Sequence, residues 1–226
     1  GPIFIGDNPN EQLNTISGIR LGNKVKRDWK KTSVRFDFYD IKSDVLETLN
    51  SIGIPKNSLK VYSDAPHYFH PGRSATFKIG QTIIANFGQI HPEINEFYGL
   101  KFPIIGFEIF PDNIPIPKKN KTARPMLKVA TLQSVTREFA FIVDNLMESE
   151  KLIQVAKSSD KTLISDVVIY DIYEGDKIPN GKKSIAIKVV IQPVDETLTD
   201  KDLERISFDL ITAVNKKLSG TLREEW

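Results

Sequence analysis

In the last hundred residues the apolar positions change period several times, and the order of the changes predicts an architecture. Residues 135–144 alternate, with Phe139, Phe141 and Val143 on one side and Ala140 and Ile142 on the other, as a half-buried strand does. Residues 148–158 bring Leu152, Val155 and Ala156 onto one helical face, and 164–174 return to strand character. After a turn containing Gly175 and Asn180-Gly181, residues 184–192 alternate again. Thr199 then opens a long helix, with Asp202 at capping-box spacing and Leu203, Ile206, Leu210, Val214 and Leu218 on one face. Gly220 ends that helix and 221–223 begin a final strand. The predicted order is βαββαβ.

The earlier residues carry a different pattern. Residues 2–5 and 16–21 are short apolar runs bounded by glycine, read as strands. A helix is predicted over 40–53 from Ile41, Val45, Leu49 and Ile52, with Gly53 as its stop. Strands follow at 59–63, 75–79 and 81–86, the last two joined about Gly80. Pro71-Gly72 predicts a tight turn, Pro92 the first turn of a helix after His91, and 102–110 a further strand. Four prolines between 111 and 125 interrupt any period, which makes this stretch the predicted linker. The expectation is an α+β chain of two domains: an antiparallel-sheet domain over 1–120, then a ferredoxin-like domain over 127–226 whose sheet has helices on one face only.

Composition narrows the chemistry. Cysteine is absent, which excludes disulfides, thiolate metal sites and a cysteine nucleophile. His67, His70 and His91 lack carboxylates at metal-site spacing, so no metal is expected here. No run approaches the ~18–20 apolar residues of a membrane span. The start, Gly-Pro-Ile-Phe-Ile-Gly, has neither a Met nor a signal-peptide pattern, and the chain reads as a fragment of a longer cytoplasmic protein. Residues 1–126 hold 17 basic and 12 acidic groups and residues 127–226 hold 14 and 17, so bulk charge does not mark a strong nonspecific polyanion binder. Lys24, Lys26, Arg27, Lys30, Lys31 and Arg35 crowd around Trp29; a solvated loop is the favoured reading of this run over a nucleic-acid patch.

Several strings are more specific than a period. Residues 36–45 (Phe-Asp-Phe-Tyr-Asp-Ile-Lys-Ser-Asp-Val), 70–75 (His-Pro-Gly-Arg-Ser-Ala) and 87–92 (Phe-Gly-Gln-Ile-His-Pro) stand in the first half. Residues 170–175 (Tyr-Asp-Ile-Tyr-Glu-Gly), 178–184 (Ile-Pro-Asn-Gly-Lys-Lys-Ser) and 197–200 (Thr-Leu-Thr-Asp) stand in the second. In that order they resemble the C-terminal part of bacterial phenylalanyl-tRNA synthetase beta subunits. Ser134, where the family commonly has proline, and Glu138, where it has aspartate, depart from the pattern. The resemblance implies a truncated, inactive domain related to class II synthetase catalytic domains, followed by a ferredoxin-fold anticodon-binding domain. It further implies an alpha-subunit partner in an assembly of two alpha and two beta chains, and tRNA for phenylalanine as the bound RNA. The full enzyme would use ATP and Mg, neither of them bound by this fragment. The residues agree with that silence, since the first half has no Gly-rich segment ending in Glu-Arg, and the only Glu-Arg is Glu204-Arg205 in the final helix.

Strand parity nominates the site. With Phe139, Phe141 and Val143 facing the helices, Ala140 faces outward; with Tyr170 and Ile172 inward, Asp171 and Tyr173 face outward; with Ile185 and Ile187 inward, Ser184, Ala186 and Lys188 face outward; with Leu222 inward, Arg223 faces outward. Ala140, Tyr173, Ser184 and Arg223 then share one region: a low floor, a ring on which a base stacks, a hydroxyl for a base edge and a guanidinium for stacking or phosphate. The resemblance assigns the same four positions to the first anticodon base. Lys182 and Lys183, beside Ser184, are candidate phosphate contacts. The rival readings are a ferredoxin-like regulatory or protein-interaction module, and a single-chain synthetase with its own active site.

Overall fold

The computed structural model describes residues 1–115, 130–194 and 196–223; residues 116–125 of the predicted linker lie outside them. The chain divides into two compact units, Gly1–Lys121 and Thr122–Trp226.

The first unit contains β1 (Pro2–Phe4), β2 (Gln12–Asn14), β3 (Ile16–Arg20), β4 (Asn23–Val25), β5 (Val34–Arg35), α1 (Phe38–Ser51), β6 (Lys60–Tyr62), β7 (Phe69–Ile79), β8 (Thr82–Ile90), α2 (Pro92–Phe97) and β9 (Ile105–Ile109). Five strands form an antiparallel sheet in the order β3-β9-β8-β7-β6, and β1 with β2 and β4 with β5 form separate ribbons. Ile41, Val45 and Leu49 of α1 pack on Phe77, Ile84 and Phe87 of the sheet. The helix starts earlier than its apolar period suggests, because Asp37 caps it and forms a capping box with Asp40. It also stops earlier. Gly53, at φ +90, closes the end, and the Ile54 N–H bonds the Leu49 carbonyl, which folds Ile54 into the core and leaves Ile52 56% exposed.

Pro71-Gly72 does not turn the chain into a new strand. Both residues lie within β7, where pairing jumps from Phe69 opposite Ile90 to Ser74 opposite Gly88, so 70–73 bulge out of the ladder. Pro71 has no N–H to give to a ladder, and a bulge accommodates it. The bulge is held by its own contacts: Gly72 N–H donates to His70 Nδ1 at 3.0 Å, and the Ser74 hydroxyl donates to the His70 carbonyl at 2.7 Å. Opposite it, a Cβ on Gly88 would meet the Arg73 carbonyl and Ser74 Cα at 2.5 Å, so only glycine fits.

The second unit contains β10 (Val135–Asp144), α3 (Ser149–Ser159), β11 (Ile164–Tyr173), β12 (Lys182–Ile191), α4 (Asp200–Leu218) and β13 (Thr221–Leu222). Its antiparallel sheet runs β11-β12-β10-β13, with the first and third strands central. Phe141, Ile185 and Ile187 of the sheet pack with Leu152 and Ala156 of α3 and with Ile206, Leu210 and Val214 of α4. Both helices lie on this one face, which makes the arrangement ferredoxin-like. Thr199 caps α4 reciprocally with Asp202, and Ser219, at φ 51, ends it beside Gly220.

Leu210 is fully buried, so Leu210→Ala should cost about 2–5 kcal/mol, read from urea unfolding. Thr199→Ala should cost about 1 kcal/mol in the same assay. The Thr199 hydroxyl and backbone N–H hold the Asp202 carboxyl below its ordinary pKa. A carboxyl lowered by folding stabilises above its unfolded pKa, and this contribution is lost as pH falls through the folded value. Asp202→Asn should therefore flatten the acid limb of the stability profile while leaving its neutral-to-alkaline shape unchanged.

Candidate nucleic-acid interface

The face of the second sheet away from α3 and α4 is assembled strand by strand. Register places Glu138, Ala140 and Ile142 of β10 opposite Lys188, Ala186 and Ser184 of β12, in one row that alternates with the core row. On β11, Tyr173 stands opposite Ser184 and Asp171 opposite Ala186. Arg223, just beyond β13, donates its N–H to the Ala140 carbonyl at 2.8 Å. One residue of the predicted quartet thus comes from each of the four strand positions across the sheet.

The four residues are brought together. The Arg223 guanidinium lies 5.7 Å from the Tyr173 ring centroid, although β11 and the Arg223 position are three strand spacings apart, roughly 14 Å at ~4.8 Å each. The two long side chains therefore meet above the middle strands. Beneath them Ala140 is 2% and Ser184 3% exposed, although no helix covers this face; Tyr173 itself is 37% exposed. Gly175 lies against the hydroxyl end of the ring, where a Cβ would come within 2.5 Å of the Tyr173 Oη. Sequence reasoning took Gly175 only as a turn residue, and no periodicity carries the signal that it seats an aromatic ring.

Register separates the two lysines. Lys182 has the parity of Ser184 and the open face, whereas Lys183 stands opposite the core residue Val143 and has the parity of the helix-covered face. Because β12 begins at Lys182, two residues before its predicted start, strand alternation already applies to this pair.

The predicted inward placement of Tyr170 is overturned. Pairing shifts between Ile169, opposite Ile187, and Asp171, opposite Ala186, so one extra residue sits in β11. This β-bulge breaks the alternation and puts Tyr170 on the open face beside Asp171. Its hydroxyl donates to Glu138 Oε2 at 3.2 Å, the Lys188 ammonium pairs with Glu138 Oε1 at 3.2 Å, and the same ammonium lies 5.6 Å from the Tyr170 ring centroid. Burial, then the bond to Glu138, raises the Tyr170 hydroxyl above its ordinary pKa. Ile172 returns to the core parity opposite Ile185 but lies beyond the helices and is half exposed.

Among the described residues the first unit offers a different kind of site. A cleft lined by Arg20, Lys24, Phe36, Asp40, Ser43 and Asp44 holds two cations, but each is engaged by a carboxylate of the same cleft. Arg20 makes a two-pronged contact with Asp44 at 2.5 and 2.8 Å, and Lys24 pairs with Asp40. Burial works against the Asp40 carboxylate, yet the Lys24 ammonium and the Asp37 N–H hold it below its ordinary pKa. Among the described residues no group of three or more His, Cys, Asp or Glu side chains is placed to hold a metal ion, and no helix is long and apolar enough to cross a membrane. Trp29 projects from the β4–β5 connection almost fully exposed, with the Lys30 ammonium 5.9 Å from its ring.

A helix-backed antiparallel sheet with exposed aromatic side chains is one scaffold on which single-stranded nucleic acid can stack. Residues 130–223 match the family model of the ferredoxin-fold anticodon binding domain, and residues 1–110 match that of the phenylalanyl tRNA synthetase beta chain CLM domain. The chain is 42% identical over 224 residues to the phenylalanine–tRNA ligase beta subunit of Rhodospirillum rubrum, and 41% identical over 224 residues to that of Paramagnetospirillum magneticum. It is 40% identical over 229 residues to that of Bradyrhizobium diazoefficiens. Each alignment covers 99% of this chain and 28% of the relative. The chain belongs to the phenylalanine–tRNA ligase beta-subunit family and spans a little over a quarter of the length of these relatives.

If Gly175 seats the Tyr173 ring, Gly175→Ala should displace it. The expected sign is loss of the ring-current shift on the Arg223 side chain in NMR spectra, with stability changed by no more than about 0.5 kcal/mol, as for an exposed position. An unmoved Arg223 signal would show that the ring does not depend on Gly175.

Proposed function

We propose that this chain is the non-catalytic C-terminal part of a phenylalanine–tRNA ligase beta subunit, and that its second domain binds the tRNA anticodon through the open face of the sheet. The observation that carries the reading is the convergence of Tyr173, Arg223, Ala140 and Ser184 on that face, within a segment matched to an anticodon-binding domain. In this reading residues 127–226 form the anticodon-binding domain. Residues 1–120 form a catalytic-like domain of class II synthetase descent that buttresses an alpha subunit, in an assembly of two alpha and two beta chains in the cytoplasm. The full enzyme charges tRNA with phenylalanine using ATP and Mg. In this reading the phenylalanine and ATP sites lie on the alpha subunit, and Arg20 and Lys24 of the first-unit cleft are engaged by Asp44 and Asp40.

The mechanism follows from the quartet. An unstacked base slides onto the Tyr173 ring and displaces the Arg223 guanidinium, which turns to the base or its phosphate. An exposed cation–π contact is worth about 0.5–1 kcal/mol, against about 1–3 kcal/mol for a base stacked on an aromatic side chain, so the exchange favours the base. Ala140 leaves room for the base to lie flat, and the Ser184 hydroxyl, uncovered by the exchange, meets a base edge as donor or acceptor. Lys182 approaches phosphate from the rim. Lys183, on the other parity, contributes through its charge alone.

The test uses the intact ligase carrying Tyr173→Ala or Arg223→Ala. Affinity for tRNA specific for phenylalanine should fall by about 1–3 kcal/mol in filter binding. Phenylalanine-dependent pyrophosphate exchange, which needs no tRNA, should persist. Equal loss of both, or neither, contradicts the proposal.

A further inference from the structure

We infer that Tyr170 is a second base platform on the open face, and that it takes a nucleotide of the same RNA strand other than the one on Tyr173. The inference rests on reading the open face as an RNA-binding surface and extends that surface by one subsite. The bulge between Ile169 and Asp171 lets Tyr170 share the open face with Asp171 and Tyr173, because alternation counted back from Tyr173 without it would turn this ring towards the helices.

The ring is prepared for stacking. Its hydroxyl is tied to Glu138, one face carries the Lys188 ammonium, and Glu138 and Lys188 neutralise each other, so this carboxylate does not repel a phosphodiester strand; Asp171, also on the open face, adds a carboxylate on the other side of the residue. Tyr170 nevertheless remains 45% exposed, more than Tyr173. A ring already fixed at its edge loses little freedom when a base settles on it.

Spacing identifies the occupant. Tyr173 stands opposite Ser184, and Tyr170 lies between the pairs Ile169–Ile187 and Asp171–Ala186, two to three residues further along β12. At ~3.3 Å per residue the two positions are separated by roughly 7–10 Å, whereas stacked nucleotides rise only ~3.4 Å each along a strand. The two rings therefore cannot hold neighbouring stacked bases. They suit two splayed bases of a single-stranded loop, as sheets of this topology with two exposed aromatics bind. The span stays within the segment matched to the anticodon-binding domain, which places the second base in the same loop.

The test uses the intact ligase and tRNA for phenylalanine carrying, at one anticodon position at a time, a fluorescent purine analogue whose emission falls on stacking. In the unaltered enzyme the analogue should be quenched at the first position and at one of the other two. Tyr170→Ala should relieve quenching at that other position, leave the first position quenched, and weaken affinity between about fivefold and a hundredfold. Tyr170→Leu, which keeps apolar cover on the sheet but has no ring, should do the same. Tyr170→Phe, which keeps the ring and loses the bond to Glu138, should retain quenching. Unchanged affinity and quenching in both Tyr170→Ala and Tyr170→Leu would overturn the inference. So would relief confined to the first position, which would make Tyr170 only a support for Tyr173, and so would loss of alpha-subunit association in place of RNA affinity. If instead Tyr173→Ala leaves the first position quenched, the reading of the open face itself fails, and the two failures are told apart.

Discussion

The second unit depends on the one-sided covering of its sheet. Strand side chains alternate between two faces, and α3 and α4 cover only one of them, so the other row is left without a helix over it. The covered row is built on Phe139, Phe141 and Val143 of β10 and Ile185, Ile187, Val189 and Ile191 of β12, with Arg137 and Lys183 as charged residues of the same parity. The other row is free of packing demands and carries alanine, serine, lysine, glutamate and tyrosine side by side. Rigidity therefore comes from one face, and in the proposed function recognition comes from the other. The hydrophobic core holds the ladder in register, and the register sets the distances between the recognition residues.

That division explains why small residues matter as much as the tyrosines. Ala140 and Ser184 lie low enough for Tyr173 and Arg223 to meet above them, and Gly175 gives the Tyr173 ring a place to lie. A larger side chain at any of these three positions would fill the space a base needs. The Tyr173–Arg223 contact lies over Ala140 and Ser184, and contacts of this kind are of modest strength.

Much of this was legible in the residues. The helical period of 203–218, the Thr199 capping box and the alternation in β10 and β12 were sufficient for the ferredoxin-like order, and parity alone placed Ala140, Tyr173, Ser184 and Arg223 on one face. What escaped was set by contacts between distant segments. The bulge in β11 exists only in its pairing with β12, and without it Tyr170 counts as a core residue. Lys183 stands on the helix-side parity because β12 starts two residues before its predicted start, and Pro71-Gly72 becomes a bulge because β7 continues on both sides of it. Ile52 loses its core place to Ile54 through the left-handed residue Gly53, where the chain reverses out of a helix period that would have kept it buried. Periodicity describes a strand or helix that runs on unbroken, and each miss lies where one starts, stops or gains a residue.

The most direct measurement is a cryo-electron microscopy map of the complete ligase with its tRNA, at a resolution that shows base planes. The account predicts the first anticodon base lying flat on the Tyr173 ring above Ala140, with the Arg223 guanidinium moved off the ring. An anticodon loop resting on α3 and α4 or on the first unit, with the Tyr173–Arg223 contact intact on a bare sheet, would contradict it.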